Sequence, residues 1–192
     1  GISSKQLSDL IWPDKPKDKV KNSRGVAINH LRKILKELDG IELVYEKGCF
    51  RFTLSSDFYC DYLRFMAIVA ENRVENCRQE FLHIVGRGKF VGFMDDPLFD
   101  GFKQDVECRL EVLVLQLMKE AFEAQDYSEA VSLAEAEFNI DPVSETALSC
   151  CIKSLFMLKH ENAAISTYQR FVAEYKKHTG EDYPTPFSLY WN

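Results

Sequence analysis

The sequence lacks the features that mark membrane and secreted proteins. It contains no run of about 18 or more apolar residues, the length that a membrane-spanning helix needs. Its opening residues have neither the basic region nor the apolar core of a signal peptide. We therefore expect a cytoplasmic protein, with no membrane contact from this segment.

Catalytic and metal-binding motifs are missing as well. The chain has no P-loop (G-x-x-x-x-G-K), no nucleophile elbow (G-x-S-x-G) and no zinc-protease motif (H-E-x-x-H). Its cysteines form no C-x-x-C pair, and we expect them to be small buried side chains in a reducing compartment. They are Cys49, Cys60, Cys77, Cys108, Cys150 and Cys151. The sequence therefore predicts no enzyme, and no catalytic residue, metal ligand or cofactor.

Charge is divided unevenly along the chain. Residues 1–56 carry 11 basic and 7 acidic side chains, a net charge of +4, whereas residues 57–192 carry 13 and 23, a net charge of −10. The stretch Lys15–Lys36 alone has 8 basic residues and one acid, Asp18. A basic surface attracts a polyanion and an acidic surface repels it, so we expect the two parts to have different partners.

The first part begins with two helical patterns. Ser3 or Ser4 can cap a short helix, which ends at Trp12-Pro13 because the residue before proline disfavours helical angles. A longer helix is predicted over Val20–Leu38, and Asp39-Gly40 ends it. Its apolar side repeats at threes and fours and comprises Ala27, Ile28, Leu31, Ile34, Leu35 and Leu38.

The opposite side of this longer helix is polar and basic, and it carries the candidate DNA-binding residues. Asn side chains can bond adenine edges in the major groove, while Lys and Arg neutralise phosphates. The predicted DNA-binding residues are Lys21, Asn22, Arg24, Val26, Asn29, His30, Arg32, Lys33 and, beyond the helix, Lys47. The two asparagines are predicted to read bases, and Val26 to contact a thymine methyl group. The helical angle of Arg24 points towards the buried side, although the residue lies close to the helix start.

A hairpin is predicted next. Ile41–Tyr45 alternates like a strand, Glu46-Lys47-Gly48 is typical of a turn, and Cys49–Leu54 alternates again. Two helices followed by a hairpin is the order of a winged helix, in which the second helix enters the major groove. Lys47 at the hairpin tip would then contact the DNA backbone.

Three segments of this part resemble a known family. Leu7–Asp14 (LSDLIWPD), Ile28–Leu38 (INHLRKILKEL) and Gly48–Phe52 (GCFRF) resemble the OmpR-type winged helix, in the form found in antibiotic-regulatory-protein activators. Cys49-Phe50 stands where that family often has Gly-Tyr. The family's opening strands and first helix have no counterpart here, so we expect a chain truncated at its N-terminus. That helix normally covers the apolar side of the longer helix.

The second part is helical almost throughout. Helices are predicted over Phe58–Val69, Val74–Val85 and Phe102–Ala124, and the last is apolar nearly all round, which indicates deep burial. Similar residues then recur 34 positions apart, which is the tetratricopeptide period. The recurring pairs are Phe122 and Phe156, Ala130 and Ala164, and Val131 and Ile165. This periodicity predicts a tetratricopeptide-like helical repeat.

This part also resembles the bacterial transcriptional activator domain. The segments that carry the resemblance are Gly92-Phe93, Asp126–Ala130, Asp141–Glu145, Ala163–Ile165, Tyr168 and Thr179-Gly180. Family members commonly show Gly-Asp, Asp-Pro-x-x-Glu, an alanine-rich helix start, and then a tyrosine and a late glycine. The order of winged helix and then helical repeats is the same in that family and in this chain.

The sequence therefore predicts a mainly α protein with two domains, a partial winged-helix DNA-binding domain (1–56) and a tetratricopeptide-like domain (57–192). The resemblances imply a transcriptional activator that binds promoter DNA. Its repeats would contact RNA polymerase or another protein, sense a signal, or hold a homodimer. The alternative is a protein-interaction scaffold whose winged-helix remnant does not bind DNA.

Overall fold

A computed structural model describes residues 1–71 and 77–190, and the chain divides into two compact units, residues 1–60 (unit 1) and residues 61–192 (unit 2). Unit 1 contains β1 (Ile2–Ser3), α1 (Ser4–Ile11), α2 (Lys17–Leu35), β2 (Ile41–Glu46) and β3 (Cys49–Leu54). Unit 2 contains α3 (Asp61–Glu71), α4 (Arg78–Val85), α5 (Asp100–Glu123), α6 (Tyr127–Ile140), α7 (Glu145–Met157) and α8 (Glu161–Thr179). Short 3-10 helices lie at Pro97–Phe99 and Phe187–Tyr190.

Helix α1 begins at the cap that the sequence indicates. The Ser3 hydroxyl accepts a hydrogen bond from the backbone N–H of Gln6, and the Gln6 side chain accepts one from the backbone N–H of Ser3. This reciprocal capping box satisfies two backbone donors that the first turn of a helix leaves open.

Helix α2 begins and ends three residues earlier than the predicted Val20–Leu38. It begins after Pro16, whose carbonyl accepts from the N–H groups of Lys19 and Val20, so the lysine-rich segment after this proline belongs to the helix. At the other end, Glu37 and Leu38 donate three residues back rather than four, which tightens the chain into a turn.

The three strands form one antiparallel sheet in the order β1-β3-β2. The hairpin is closed by a two-residue turn in which Lys47 and Gly48 both have positive φ, 50° and 81°. Two positive values are the mark of a type I′ turn, whose twist matches the flanking strands. The predicted hairpin is therefore present, whereas the two residues of β1 are too few for any alternation to reveal them in the sequence.

Unit 1 has a small core. Within residues 1–60, all of which the structure describes, the buried apolar side chains are Val20, Leu35 and Leu43. Of the predicted apolar side of α2, Leu35 is buried, but Ile34 is 60% exposed and Leu38 is 53% exposed. The periodicity thus identifies the apolar side of the helix correctly, but not how far it is covered.

The helices predicted for unit 2 are present with shifted ends. α3 begins three residues after the predicted Phe58, and α5 begins two residues before the predicted Phe102. Val74, the predicted start of the next helix, lies outside the described residues, and α4 begins at Arg78. The expectation that α5 is deeply buried nearly all round is wrong at Val112, which is 69% exposed, because only one side of α5 faces the core.

The repeat of 34 residues is a structural repeat. A left-handed residue lies two positions after α5 and two positions after α7; these residues are Gln125 (φ 63°) and Lys159 (φ 62°), which are 34 positions apart. The following residue, Asp126 or His160, donates its N–H five residues back, to Ala121 or Leu155. Two matching Schellman turns therefore reverse the chain at equivalent positions, before α6 and before α8.

Alanines allow the helices of each pair to approach closely. Ala130 on α6 and Ala164 on α8 are completely buried, and both belong to the one apolar core that runs through the helices of unit 2. The fold class predicted from the sequence is confirmed: the chain is mainly α, with a partial winged helix and hairpin followed by a tetratricopeptide-like helical domain.

Two further properties concern burial. The expectation that all the cysteines are buried is wrong, because Cys151 is buried but Cys108 is exposed on α5. None of the helices in the described part of the chain combines the length and the apolar character that crossing a membrane requires.

Candidate nucleic-acid interface

The outward side of α2 is the candidate interface. Asn22, Val26, Asn29 and Lys33 follow one another at helical spacing along α2, and all four are exposed. The nineteen residues of α2 extend for about 28 Å, which is several base pairs along a DNA groove. Lys21 and His30 flank this row and are exposed as well. We call these six residues the α2 polar face.

Arg24 points to the other side of α2. One terminal nitrogen of its guanidinium donates to the Ser4 carbonyl at 3.0 Å and to the Ser8 hydroxyl at 2.7 Å. Both acceptors belong to α1, and the Ser8 side chain is buried. Arg24 therefore ties α2 to α1 and fixes the direction of the helix, while its predicted contact with DNA stays a prediction.

Arg32 links α2 to the sheet. Its Nε donates to the Leu43 carbonyl of β2 at 3.3 Å, although the residue as a whole is exposed. Helix α2 is thus attached to α1 through Arg24 in its first half and to β2 through Arg32 in its second half. These two attachments, together with buried Val20 and Leu35, set which side of α2 points outward.

Lys47 occupies the tip of the hairpin. It is exposed and stands in the type I′ turn next to Gly48, which is exposed too. Nothing in the turn covers this ammonium group, so it is accessible to an anion at the outermost point of the β2–β3 hairpin.

The basic side chains near α2 are mostly unpaired. Within unit 1, none of the lysines of α2 forms an ion pair, and Lys15 donates only to the Ser23 hydroxyl, at 2.6 Å. Lys17, Lys19 and Lys36 add exposed positive charge beside the α2 polar face. Because no carboxylate of the described residues pairs with these cations, they are available to phosphate oxygens.

Unit 1 also contains an open apolar groove, which lies between α1, α2 and the sheet. Its volume is about 450 Å³. Its apolar lining includes Leu7 of α1, Ile28 and Leu31 of α2, and Leu43 and Phe50 of the sheet. The sequence periodicity predicts the α2 part of this lining, because Ile28 and Leu31 lie on the predicted apolar side of the helix.

Among the described residues no group of three or more histidine, cysteine or acidic side chains is arranged to hold a metal ion.

The fold is similar to that of the solved structure of EmbR from Mycobacterium tuberculosis in complex with a low-affinity phosphopeptide. The match covers 98% of this chain at 18% sequence identity with a TM-score of 0.55, and it covers 53% of the EmbR chain. This chain therefore spans about half the length of that neighbour. At this identity the likeness shows a common fold. No protein-family model matches the chain, and no curated protein matches its sequence.

Proposed function

We propose that this chain belongs to a DNA-binding transcriptional regulator, an activator of the antibiotic-regulatory-protein type, in which unit 1 binds promoter DNA. The observation that carries the proposal is the α2 polar face, an exposed row of asparagine and lysine whose charges are unpaired, with the hairpin behind it. The fold shared with EmbR, together with the segments that resemble OmpR-type winged helices, supports the same function.

Each residue of the candidate interface has a specific role in this proposal. Asn22 and Asn29 read base edges in the major groove, and Val26 contacts a thymine methyl group. Phosphate oxygens are bound by the cationic residues Lys21, Arg32, Lys33 and Lys47. His30 assists at the edge of the helix. We assign Arg24 the positioning of α2, because its guanidinium is already bonded to α1.

Unit 2 contacts protein in this proposal. Residues 57–192 carry a net charge of −10, which opposes binding of a polyanion and suits RNA polymerase or another protein as the partner. A homodimer through the repeats and a cytoplasmic location belong to the same proposal. The same acidic charge favours the second candidate function, a protein-interaction scaffold whose winged-helix remnant does not bind DNA.

A DNA titration of the full chain at several salt concentrations separates the two functions. We expect saturable binding at low salt, with an affinity that falls steeply as salt rises, at a log–log slope of about −4 for four phosphate contacts. Absence of saturable binding at low salt would favour the scaffold and overturn the proposal.

Two substitutions test the roles on α2, with duplexes selected from a randomised DNA pool. Lys33→Ala should weaken binding to all sequences alike and make the salt slope shallower by about 1. Asn29→Ala should cost about 1–3 kcal/mol on the selected sequence and little on others. Lys177→Ala in unit 2 is the control. Equal losses across sequences for Asn29→Ala would refute its role as a base reader.

A further inference from the structure

Phe93 is the most exposed large apolar side chain in the part of the chain that the structure describes, at 87%. It lies in unit 2, in the connection between α4 and α5. An aromatic ring brings a large apolar area to a contact, so transferring this ring from water to an apolar partner surface is favourable. We call residues 89–96, which surround it, the Phe93 loop.

The backbone on either side of Phe93 is held in a tight turn. The N–H of Met94 donates to the Val91 carbonyl at 2.9 Å, which closes the turn around Phe93. The Met94 carbonyl accepts from Nζ of Lys103, which ties the turn to α5. Because this backbone is already ordered, binding through Phe93 costs little further conformational entropy.

The turn is also strained at Val91. Its φ of 46° lies in the left-handed region, which a β-branched residue rarely adopts. Such a conformation persists where its surroundings impose it. Here the Lys89 carbonyl accepts from the Gly92 N–H at 3.3 Å, and the Lys89 ammonium pairs with Glu107 of α5 at 3.5 Å. Strain of this kind is concentrated at binding and catalytic sites, which favours a binding role for the Phe93 loop.

Carboxylates accompany the exposed ring. Asp95, Asp96 and Asp100 follow Phe93 closely in the chain, are exposed, and form no ion pair with any described residue. One oxygen of Asp96 accepts from the Leu98 N–H at 2.9 Å, so this residue also caps a short helix. These unpaired negative charges attract a cationic surface and repel a nucleic acid or an anionic membrane.

We propose that Phe93 anchors a partner protein by packing on the apolar stripe of a basic amphipathic helix, with Asp95 and Asp100 paired to the lysines or arginines beside that stripe. The space between four neighbouring side chains on a helix surface accepts one projecting side chain. The carboxylates of the loop select a basic helix over an acidic one. This inference rests on the protein-contact role proposed for unit 2 and specifies the chemistry of the partner.

The test uses the full chain and two fluorescein-labelled peptides that are long enough to form a helix. Both carry one stripe of leucines, and the residues beside the stripe are lysines in one peptide and glutamates in the other. Fluorescence polarisation should show saturable binding of the lysine peptide and at least about tenfold weaker binding of the glutamate peptide.

Phe93→Ser should weaken binding of the lysine peptide by about tenfold or more. This substitution leaves the net charge unchanged, so the loss measures the contribution of the ring. The matched control is Val112→Ser, which removes another apolar side chain, 69% exposed on α5. The control should leave peptide affinity within about twofold, and equal losses in the two variants overturn the inference.

The carboxylates are tested by Asp95→Asn combined with Asp100→Asn, which should weaken binding of the lysine peptide by about threefold or more. Glu120→Gln combined with Glu123→Gln removes the same charge about 30 Å from Asp100 along α5 and should change affinity by less than about twofold. Equal losses in the two double variants would show attraction to the net charge of the chain and overturn the inference.

DNA binding is measured on the same preparations and should be unchanged by Phe93→Ser. Loss of peptide binding with DNA binding retained supports the role of Phe93. Phe93-dependent peptide binding in a chain that does not bind DNA also supports it, and refutes the DNA-binding role of unit 1 alone. Absence of saturable binding of the lysine peptide overturns the inference, whatever the DNA titration shows.

Discussion

Replacing Glu137 by glutamine should stabilise the protein above neutral pH. Glu137 lies on α6 and is completely buried, and neither carboxylate oxygen has a hydrogen-bond partner in the described residues. Burial raises the pKa of Glu137 to about 7, the carboxylates of Glu111 and Asp141 add to the rise, and the nearby Ser144 hydroxyl offsets a part of it. An unpartnered carboxylate in this position destabilises the fold when it is ionised.

The sign and size follow from proton linkage. The folded chain holds the Glu137 proton to about pH 7, whereas the unfolded chain releases it near 4.5. Between these values the folded state binds more protons, so the free energy of unfolding falls as pH rises. The pKa difference corresponds to about 3 kcal/mol, fully expressed above pH 7 and absent below pH 4.5.

Urea unfolding followed by circular dichroism at pH 5 and pH 8 measures this difference. Glu137→Gln keeps the shape of the side chain without the charge, so we expect a gain of about 3 kcal/mol at pH 8 and a much smaller change at pH 5. Glu123→Gln, at an exposed position of α5, should change stability by less than about 0.5 kcal/mol at either pH. A glutamine variant whose advantage is the same at both pH values would refute the reasoning.

Two other predictions concern the repeats and the cysteines. Gln125→Gly and Lys159→Gly should each raise the free energy of unfolding by about 0.5–1 kcal/mol, because glycine adopts positive φ without strain; urea unfolding measures it, and destabilisation would contradict it. Cys108, which is exposed, should react with a thiol reagent in the native protein. Cys151 should react only on unfolding, because burial raises the pKa of its thiol to about 12, and rapid native labelling of Cys151 would disprove this.

The parts of the fold that are predictable from the sequence are those with local causes. Ser3 caps α1 because its hydroxyl reaches the N–H of Gln6, and Lys47-Gly48 closes the hairpin because these two residues adopt positive φ. The C-terminal end of α2 is less predictable, because the turn after Leu35 still contains one apolar residue at helical spacing, Leu38. Helical angles also indicate which side chains of α2 point outward, as the exposure of Asn29 illustrates.

What the sequence leaves open depends on tertiary contacts. The angle of Arg24 indicates an inward direction, but its acceptors on α1 depend on how the two helices pack. Glu137 follows Ala130 and Leu133 at helical spacing on the buried face of α6, so its position in the sequence indicates burial. Carboxylates are usually exposed, however, so sequence reasoning places this side chain in solvent.

The small core of unit 1 affects how this unit responds to a partner. Within residues 1–60 three apolar side chains are buried and others, such as Ile28 and Leu31, are half-buried, and the hydrogen bonds of Arg24 and Arg32 add to what holds the unit together. Any molecule that binds α2 and the hairpin in their folded arrangement raises the melting temperature of the unit by mass action. Ligand binding to unit 1 and the folding of unit 1 are then linked equilibria, so a measurement of one reports on the other.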